Sequence, residues 1–263
     1  FGADLVGITE FDERWVYTRR YDHKAKEEKP NELPDGLTSV ILCCHAMDYE
    51  TVRTFPSALG GAAVGKGYSA EAAMVMQLAQ YIRNLGYQAV GTMNDTSLAI
   101  PQAIKAGLGE YGRHNMLITR DYGPRVRVSK ILTDLPVAHD GPAPFGVAAF
   151  CHICRRCAEA CPVKAVSFDD PSAEARNRSS IPGVVKWTTD CEKCFGYWAK
   201  MRTDCAICLR VCPFNRDYSK ATARAFRWLA GTRLKRLALW LDDKMGHGAR
   251  RAPSDWWEGK LDG

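Results

Sequence analysis

Nowhere in its 263 residues does this sequence carry an apolar run as long as a bilayer-spanning helix requires. That excludes a helical membrane crossing within this stretch of chain. A basic stripe interleaved with aromatics is missing too. The formal charge is +6, but the Arg and Lys residues are scattered among acids, so no nucleic-acid face is expected, and the thin surplus suits solubility or an acidic partner. There is no Met at position 1. Phe1 already lies inside what reads as structured sequence, so an N-terminal segment, any export signal included, is expected to lie outside this chain.

Cysteine is what the sequence has in excess. Nine of the eleven cysteines fall between Cys151 and Cys212, a density that excludes a secreted disulfide scaffold and points to a reducing or anoxic setting. Cys151, Cys154, Cys157 and Cys161, followed by Pro162, read CxxCxxCxxxCP, the spacing with which bacterial ferredoxins hold cubane clusters. Cys205, Cys208 and Cys212, followed by Pro213, repeat CxxCxxxCP. Zinc ribbons lack the third cysteine step and the CxxxCP ending, and cysteines this closely spaced make no sensible disulfide framework. In such motifs the cysteine before the proline ligates the other cluster. Two 4Fe-4S clusters are therefore expected, Cys161 joining Cys205 and Cys208, and Cys212 joining Cys151, Cys154 and Cys157. For the eighth ligand, spacing alone leaves Cys191 and Cys194 both open.

Elsewhere the pattern alternates strands and helices, which implies an α/β or α+β core over residues 1–148. Phe1 to Ile8 reads as a helix end followed by a buried strand, and Thr38 to His45 as a second strand whose adjacent Cys43 and Cys44 are buried small residues rather than ligands. Pro30 to Gly36 is a loop. Thr54 to Gly67, with four glycines, reads as a loop passing close to a ligand or a neighbouring backbone. Ser69 then caps a helix that Gly86 ends. A strand over Tyr87 to Thr92, a helix beginning near Ser97 with Pro101 in its first turn, and strands over Met116 to Thr119 and Val126 to Thr133 follow. The proline-rich Asp140 to Gly146 is a hinge into a cluster module over 149–216. Residues 217–263 add helix from Ala221 to Met245, interrupted near Gly231, and a tail whose Trp256 and Trp257 dock on the core or on a partner.

Over nearly its whole length the chain resembles the corrinoid-dependent reductive dehalogenases and, more distantly, the epoxyqueuosine reductases. The resemblance is carried by GADLVGI at Gly2 to Ile8, GYS at Gly67 to Ser69, LGYQAVGTMNDT at Leu85 to Thr96, AGLGEYGRHNMLIT at Ala106 to Thr119, YGPRVRVSKILTDLPV at Tyr122 to Val137, and both cysteine motifs. It implies an α+β, nitroreductase-like core that buries cobalamin, with a two-cluster ferredoxin-like module appended. Within that likeness Tyr68 matches the proton donor, Asn94 its anchor and Arg127 the neighbouring cation. Trp198 matches a substrate-pocket aromatic, Gly112, Asn115 and Leu117 corrinoid contacts, and the KC step at Lys193–Cys194 favours Cys194 over Cys191. No DxHxxG motif is present to offer a histidine to cobalt, so base-off cobalamin is implied, with His45 and His114 structural.

The implied activity is reduction of a halogenated organic substrate, with electrons from an external low-potential donor. The same likeness admits a cytoplasmic catabolic enzyme or an exported respiratory one. Where epoxyqueuosine reductases typically read WIGKNT and use an acidic proton donor, this chain has EYGRHN and a tyrosine. An epoxyqueuosine-reductase-like enzyme acting on tRNA is one alternative, and a ferredoxin-like electron carrier another. Each site residue also has a bland reading: Tyr68 packing under a helix N-terminus, Asn94 filling a turn, Arg127 pairing with an acid such as Asp134.

Overall fold

The structure is a computed structural model and describes residues 1–260. Strands run in the order β1 (Leu5–Glu10), β2 (Arg19–Asp22), β3 (Glu27–Pro30), β4 (Ser39–Ala46), β5 (Ala89–Thr92), β6 (Gly109–Tyr111), β7 (Leu117–Thr119) and β8 (Val126–Thr133). Helices are α1 (Tyr49–Val52), α2 (Ala58–Asn84), α3 (Ala99–Lys105), α4 (Val147–Ile153), α5 (Arg156–Ala160), α6 (Cys191–Met201), α7 (Ile207–Arg210), α8 (Ala221–Ala230), α9 (Lys235–Lys244) and α10 (Pro253–Trp257). The fold is α+β. Two compact units are each assembled from several chain segments: residues 1–46, 67–109 and 127–143 form the first, and, among the described residues, 47–66, 110–126 and 144–260 the second.

The first unit is built on a four-stranded sheet in the order β1-β4-β8-β5. β1 pairs antiparallel with β4, Leu5 opposite Cys44 and Glu10 opposite Ser39, and β5 pairs antiparallel with β8, Ala89 opposite Thr133. β4 is apolar on both faces because both are covered. Met74, Val75, Ala79 and Ile82, at helical spacing on α2, close over Ile41, Cys43 and Ile131. Cys43 and Cys44 are buried strand residues, as expected. Residues 1–4 are irregular rather than the end of a helix.

One expectation fails clearly. Thr54 to Gly67 is not a loop: the helix begins at Ala58, and both Tyr68 and Ser69 lie inside it. Its N-terminal cap is Ser57, whose Oγ accepts the Gly60 N–H at 3.0 Å. Glycine lowers helix propensity by up to about 1 kcal/mol per residue, but packing overrides it here. A Cβ on Gly60 would lie 2.7 Å from the Phe55 ring, so glycine is what lets the buried Phe55 lie against the helix beside Val52, Ala63 and Leu209.

The second unit holds an aromatic core in which Phe150, Phe214 and Phe226 meet edge to face, with Val147, Trp187, Ala230 and Ala238 around them. The C-terminal helix breaks between α8 and α9 at the expected place, Gly231 closing α8. α10 carries Trp256 and Trp257, which meet edge to face, with Trp257 largely exposed. Among the described residues no helix is long and apolar enough to cross a membrane.

Candidate functional site

In the first unit, α2 and the strands β5 and β8 bring Tyr68, Asn94 and Arg127 together. Tyr68 is half-buried on α2; Asn94 is exposed in the turn after β5, and its Nδ2 donates to the Tyr68 hydroxyl at 2.7 Å. The Arg127 guanidinium carbon lies 3.6 Å from the centroid of the Tyr68 ring, a cation–π contact in which charge stands over the phenol face. Arg127 does not pair with Asp134, whose carboxylate instead accepts the Gln88 main-chain and side-chain N–H groups. Its acidic neighbour is Glu71, at 4.0 Å and one helical turn beyond Tyr68.

Below this group the site is dry and charged. Glu71 is fully buried with neither carboxylate oxygen hydrogen-bonded. Burial raises its pKa, against the opposing pull of Arg127 and Lys130. Lys130 on β8 is also fully buried, its Nζ donating to the carbonyls of Met93 and Asp95. Burial lowers its pKa to about 8, with Asp95 and Glu71 acting to hold the proton. Glu71 and Lys130 were not singled out from sequence. The available signal was Glu71 at i+3 from Tyr68, on the side α2 turns toward the sheet.

The cysteines of the second unit gather in two sets. Cys151, Cys154, Cys157 and Cys212 line one enclosed hollow with Pro213 and Phe214. Burial pushes the Cys151 thiol up to about 12 and Cys154 to about 11. Cys212 is pushed well above the ordinary thiol value by burial and then by the three thiols of its own set. In the second set burial raises Cys208, and Cys194, Cys205 and Cys161 raise it further. Burial takes Cys194 to about 11, with Cys205 and Cys161 next in effect. Cys191 stands apart: after burial its nearest influences are Lys186 and Asp190, and its Sγ contacts the Thr189 carbonyl at 3.5 Å.

Among the described residues no three ligand side chains are gathered tightly enough to hold a single metal ion. A four-iron cube spreads its thiolates wider than one ion does, and the hollow lined by Cys151, Cys154, Cys157 and Cys212 suits it. Neutral buried thiols must lose their protons to iron, so cluster uptake releases protons.

Two further residues of the EYGRHN stretch matter, and the sequence reading passed over both. Glu110 Oε2 accepts the main-chain N–H groups of Phe145, Gly146 and Val147 at 2.6, 3.0 and 3.2 Å, anchoring the start of α4, which carries Cys151. Arg113, only 1% exposed, donates to the carbonyls of Cys151, Cys154, Ser167 and Asp169. Gly112 is crowded: a Cβ there would lie 2.7 Å from both His114 and Ile118. Asn115 adopts a left-handed conformation (φ 62°), its Oδ1 buried without a partner, and Leu117 is buried on β7. His114 is fully buried and burial lowers its pKa to about 4. Trp198 lies on α6 beside Phe195, ring centroids 6.5 Å apart, both exposed.

Comparison with known proteins places these features. A family profile described as "4Fe-4S double cluster binding domain" matches residues 150–215. A tetrachloroethene reductive dehalogenase of Desulfitobacterium hafniense is 38% identical over 256 residues, covering 82% of this chain and 46% of the relative. A solved catabolic reductive dehalogenase, in complex with 3-bromo-4-hydroxybenzoic acid, superposes with a TM-score of 0.83 at 27% identity over 95% of this chain and 35% of its own. The chain belongs to the reductive dehalogenase family. It spans about half the length of the curated relatives it matches. An epoxyqueuosine reductase with a tRNA stem loop shares the fold more loosely, at a TM-score of 0.54 and 17% identity over 81% of this chain and 62% of that one. The domain matched over residues 150–215 binds two 4Fe-4S clusters.

Proposed function

We propose that this chain carries out reductive dehalogenation of an organohalide at a base-off corrinoid, with electrons from an external low-potential donor passing through two 4Fe-4S clusters and a proton from Tyr68. Cys151, Cys154, Cys157 and Cys212 hold one cluster, and Cys161, Cys194, Cys205 and Cys208 the other. The observation that carries the reading is the Tyr68 phenol held between an Asn94 donor and an Arg127 cation.

The corrinoid supplies the low-valent metal chemistry that breaks a carbon–halogen bond. Asn115 Oδ1, buried and unpartnered, is a polar atom that a large polar cofactor would satisfy, with Gly112 and Leu117 shaping the turn that presents it. Trp198 contributes an aromatic wall for substrate. In balance, two electrons and one proton convert the carbon–halogen bond to a carbon–hydrogen bond and halide.

The protein's own part is delivery of the proton. A phenol O–H positioned against the reacting carbon can serve as a general acid. Asn94 orients the hydroxyl, and Arg127 over the ring stabilises the phenolate left after transfer. Glu71, one turn away and 4.0 Å from the guanidinium, holds Arg127 from the side opposite the solvent, and burial disfavours its charge against the pull of Arg127 and Lys130.

Tyr68→Phe removes only the hydroxyl. Folding, corrinoid binding and iron content are expected to survive, while halide release under a strong artificial reductant falls by about 10²- to 10⁴-fold. Arg127→Lys, a point charge in place of a planar fork, is expected to lose activity as well. Parental halide release by loaded Tyr68→Phe across the pH range would remove Tyr68 from the mechanism. Turnover of an epoxyqueuosine tRNA stem loop without halide release would favour the other branch of the fold instead.

A further inference from the structure

The geometry points to Arg113 as the residue that sets the reduction potential of the cluster held by Cys151, Cys154, Cys157 and Cys212, an inference that rests on the cluster assignment proposed above. Arg113 is buried to 1% exposure and lines the same hollow as those four cysteines. Its fork is spent entirely on main-chain oxygen. Nε donates to the carbonyls of Cys151 (3.1 Å) and Cys154 (3.2 Å), Nη2 to Cys151 (3.0 Å), and Nη1 to Ser167 and Asp169 (3.0 Å each). The guanidinium also lies 4.9 Å from the Trp187 ring centroid.

What this buried cation lacks is an anion. Its hydrogen bonds are all to neutral carbonyls, and the Glu110 and Asp169 carboxylates turn instead to the main-chain N–H groups at the start of α4 and to Ser167 and Arg176. An ion removed from water without a counter-charge is strongly disfavoured. The matching negative charge is the cluster. Four thiolates outweigh the positive charge of the iron–sulfide core, so the loaded hollow is anionic, and each reducing electron makes it more so. In a low-dielectric interior a fixed cation beside it favours the reduced state, and net charge is one of the levers that set cluster potentials.

Arg113 therefore does two things through one side chain. By gripping the Cys151 and Cys154 carbonyls it fixes the C-terminal end of α4, from which both thiols face the hollow, and by its charge it raises the potential of that cluster. It is a positioning residue, and a potential separates its charge from its grip.

The experiment is a redox titration of the loaded protein with titanium(III) citrate, one electron per cluster, followed by electron paramagnetic resonance. Iron and sulfide are counted first, and Cys151→Ala identifies which reduction step belongs to the first cluster. In Arg113→Gln that step is expected to move to more negative potential by at least a tenfold change in its reduction equilibrium, about 59 mV for one electron, while the other step stays in place. Arg113→Lys keeps the charge and loses the fork, and its first-cluster step is expected to remain at the parental potential even where iron uptake is poorer. A fully loaded Arg113→Gln titrating like the parent, or Gln and Lys variants shifted alike, overturns the proposal. If Arg113→Gln takes up no iron, Arg113→Lys decides alone, a tenfold or larger negative shift counting against it. A parent protein in which Cys151→Ala leaves both steps unchanged sinks the cluster assignment itself, a failure visible before any Arg113 variant is made.

Discussion

Lys130 holds its ammonium where no water reaches it, below the Tyr68 group, with carbonyls of Met93 and Asp95 as acceptors. Its pKa falls from 10.5 to about 8 through burial. The unfolded chain therefore binds a proton that the fold has released over that window. Stability contributed by Lys130 is present above the unfolded value and is lost as pH falls through about 8. Urea unfolding of the parent between pH 8 and pH 10 is thus expected to show a rising contribution, up to about 1.4 kcal/mol per pH unit, that Lys130→Met lacks. Identical pH slopes for the two proteins would show that the buried amine does not titrate this way. At this scale the sequence was informative for Tyr68, Asn94 and Arg127, because short motifs mark them. It was silent on Glu71, Lys130 and Arg113, whose importance lies in their burial, and burial of a single charged side chain leaves no periodicity to read.

α2 shows how an element can be legible in part. Its C-terminal half was readable from the spacing of Met74, Leu78 and Ile82, because those residues pack on the sheet. Its N-terminal half was misread, since Gly60, Gly61, Gly65 and Gly67 argue against helix by propensity, and the contact that reverses the balance is with Phe55, part of a different segment. The β2–β3 hairpin was missed for a related reason. It has no apolar alternation and is tied by cross-strand pairs of Arg19 with Glu28 and Lys29 with Asp22. The glycines of α2 are separable by experiment. A Cβ on Gly65 meets nothing within 4 Å, so Gly65→Ala is expected to stabilise by about 0.5–1 kcal/mol through helix propensity. Gly60→Ala gains the same propensity but drives a methyl into the Phe55 ring, and overpacking of that kind costs about 1–3 kcal/mol. Thermal midpoints should therefore move in opposite directions; a rise in both would mean that Phe55 yields without cost.

For the molecule as a whole, the two cysteine sets are threaded through each other. Cys161 comes from the first motif and Cys212 from the second, yet the thiols that most affect Cys212 are Cys151, Cys154 and Cys157, and Cys161 is among those that affect Cys208. The sets approach each other where Cys157 packs near Cys161 and Cys208. Ligand spacing, a local property of sequence, is what made this grouping readable; spacing alone leaves the eighth ligand open, because Cys191 and Cys194 sit one turn apart on α6, and the family's KC step favours Cys194. The fold separates them by direction. Cys194 feels Cys205 and Cys161, whereas Cys191 feels Lys186 and Asp190 and contacts the Thr189 carbonyl. A cube missing one thiolate is labile, so Cys194→Ala is expected to bring iron and sulfide down toward one cluster per chain and to abolish one of two paramagnetic signals. Cys191→Ala should keep both clusters, since it removes only a half-buried thiol with a weak carbonyl contact. Anaerobic iron and sulfide counts on the two variants, reconstituted side by side, decide the matter: loss of a cluster in Cys191→Ala with full loading of Cys194→Ala would exchange the two assignments and turn α6 by one face toward the second set.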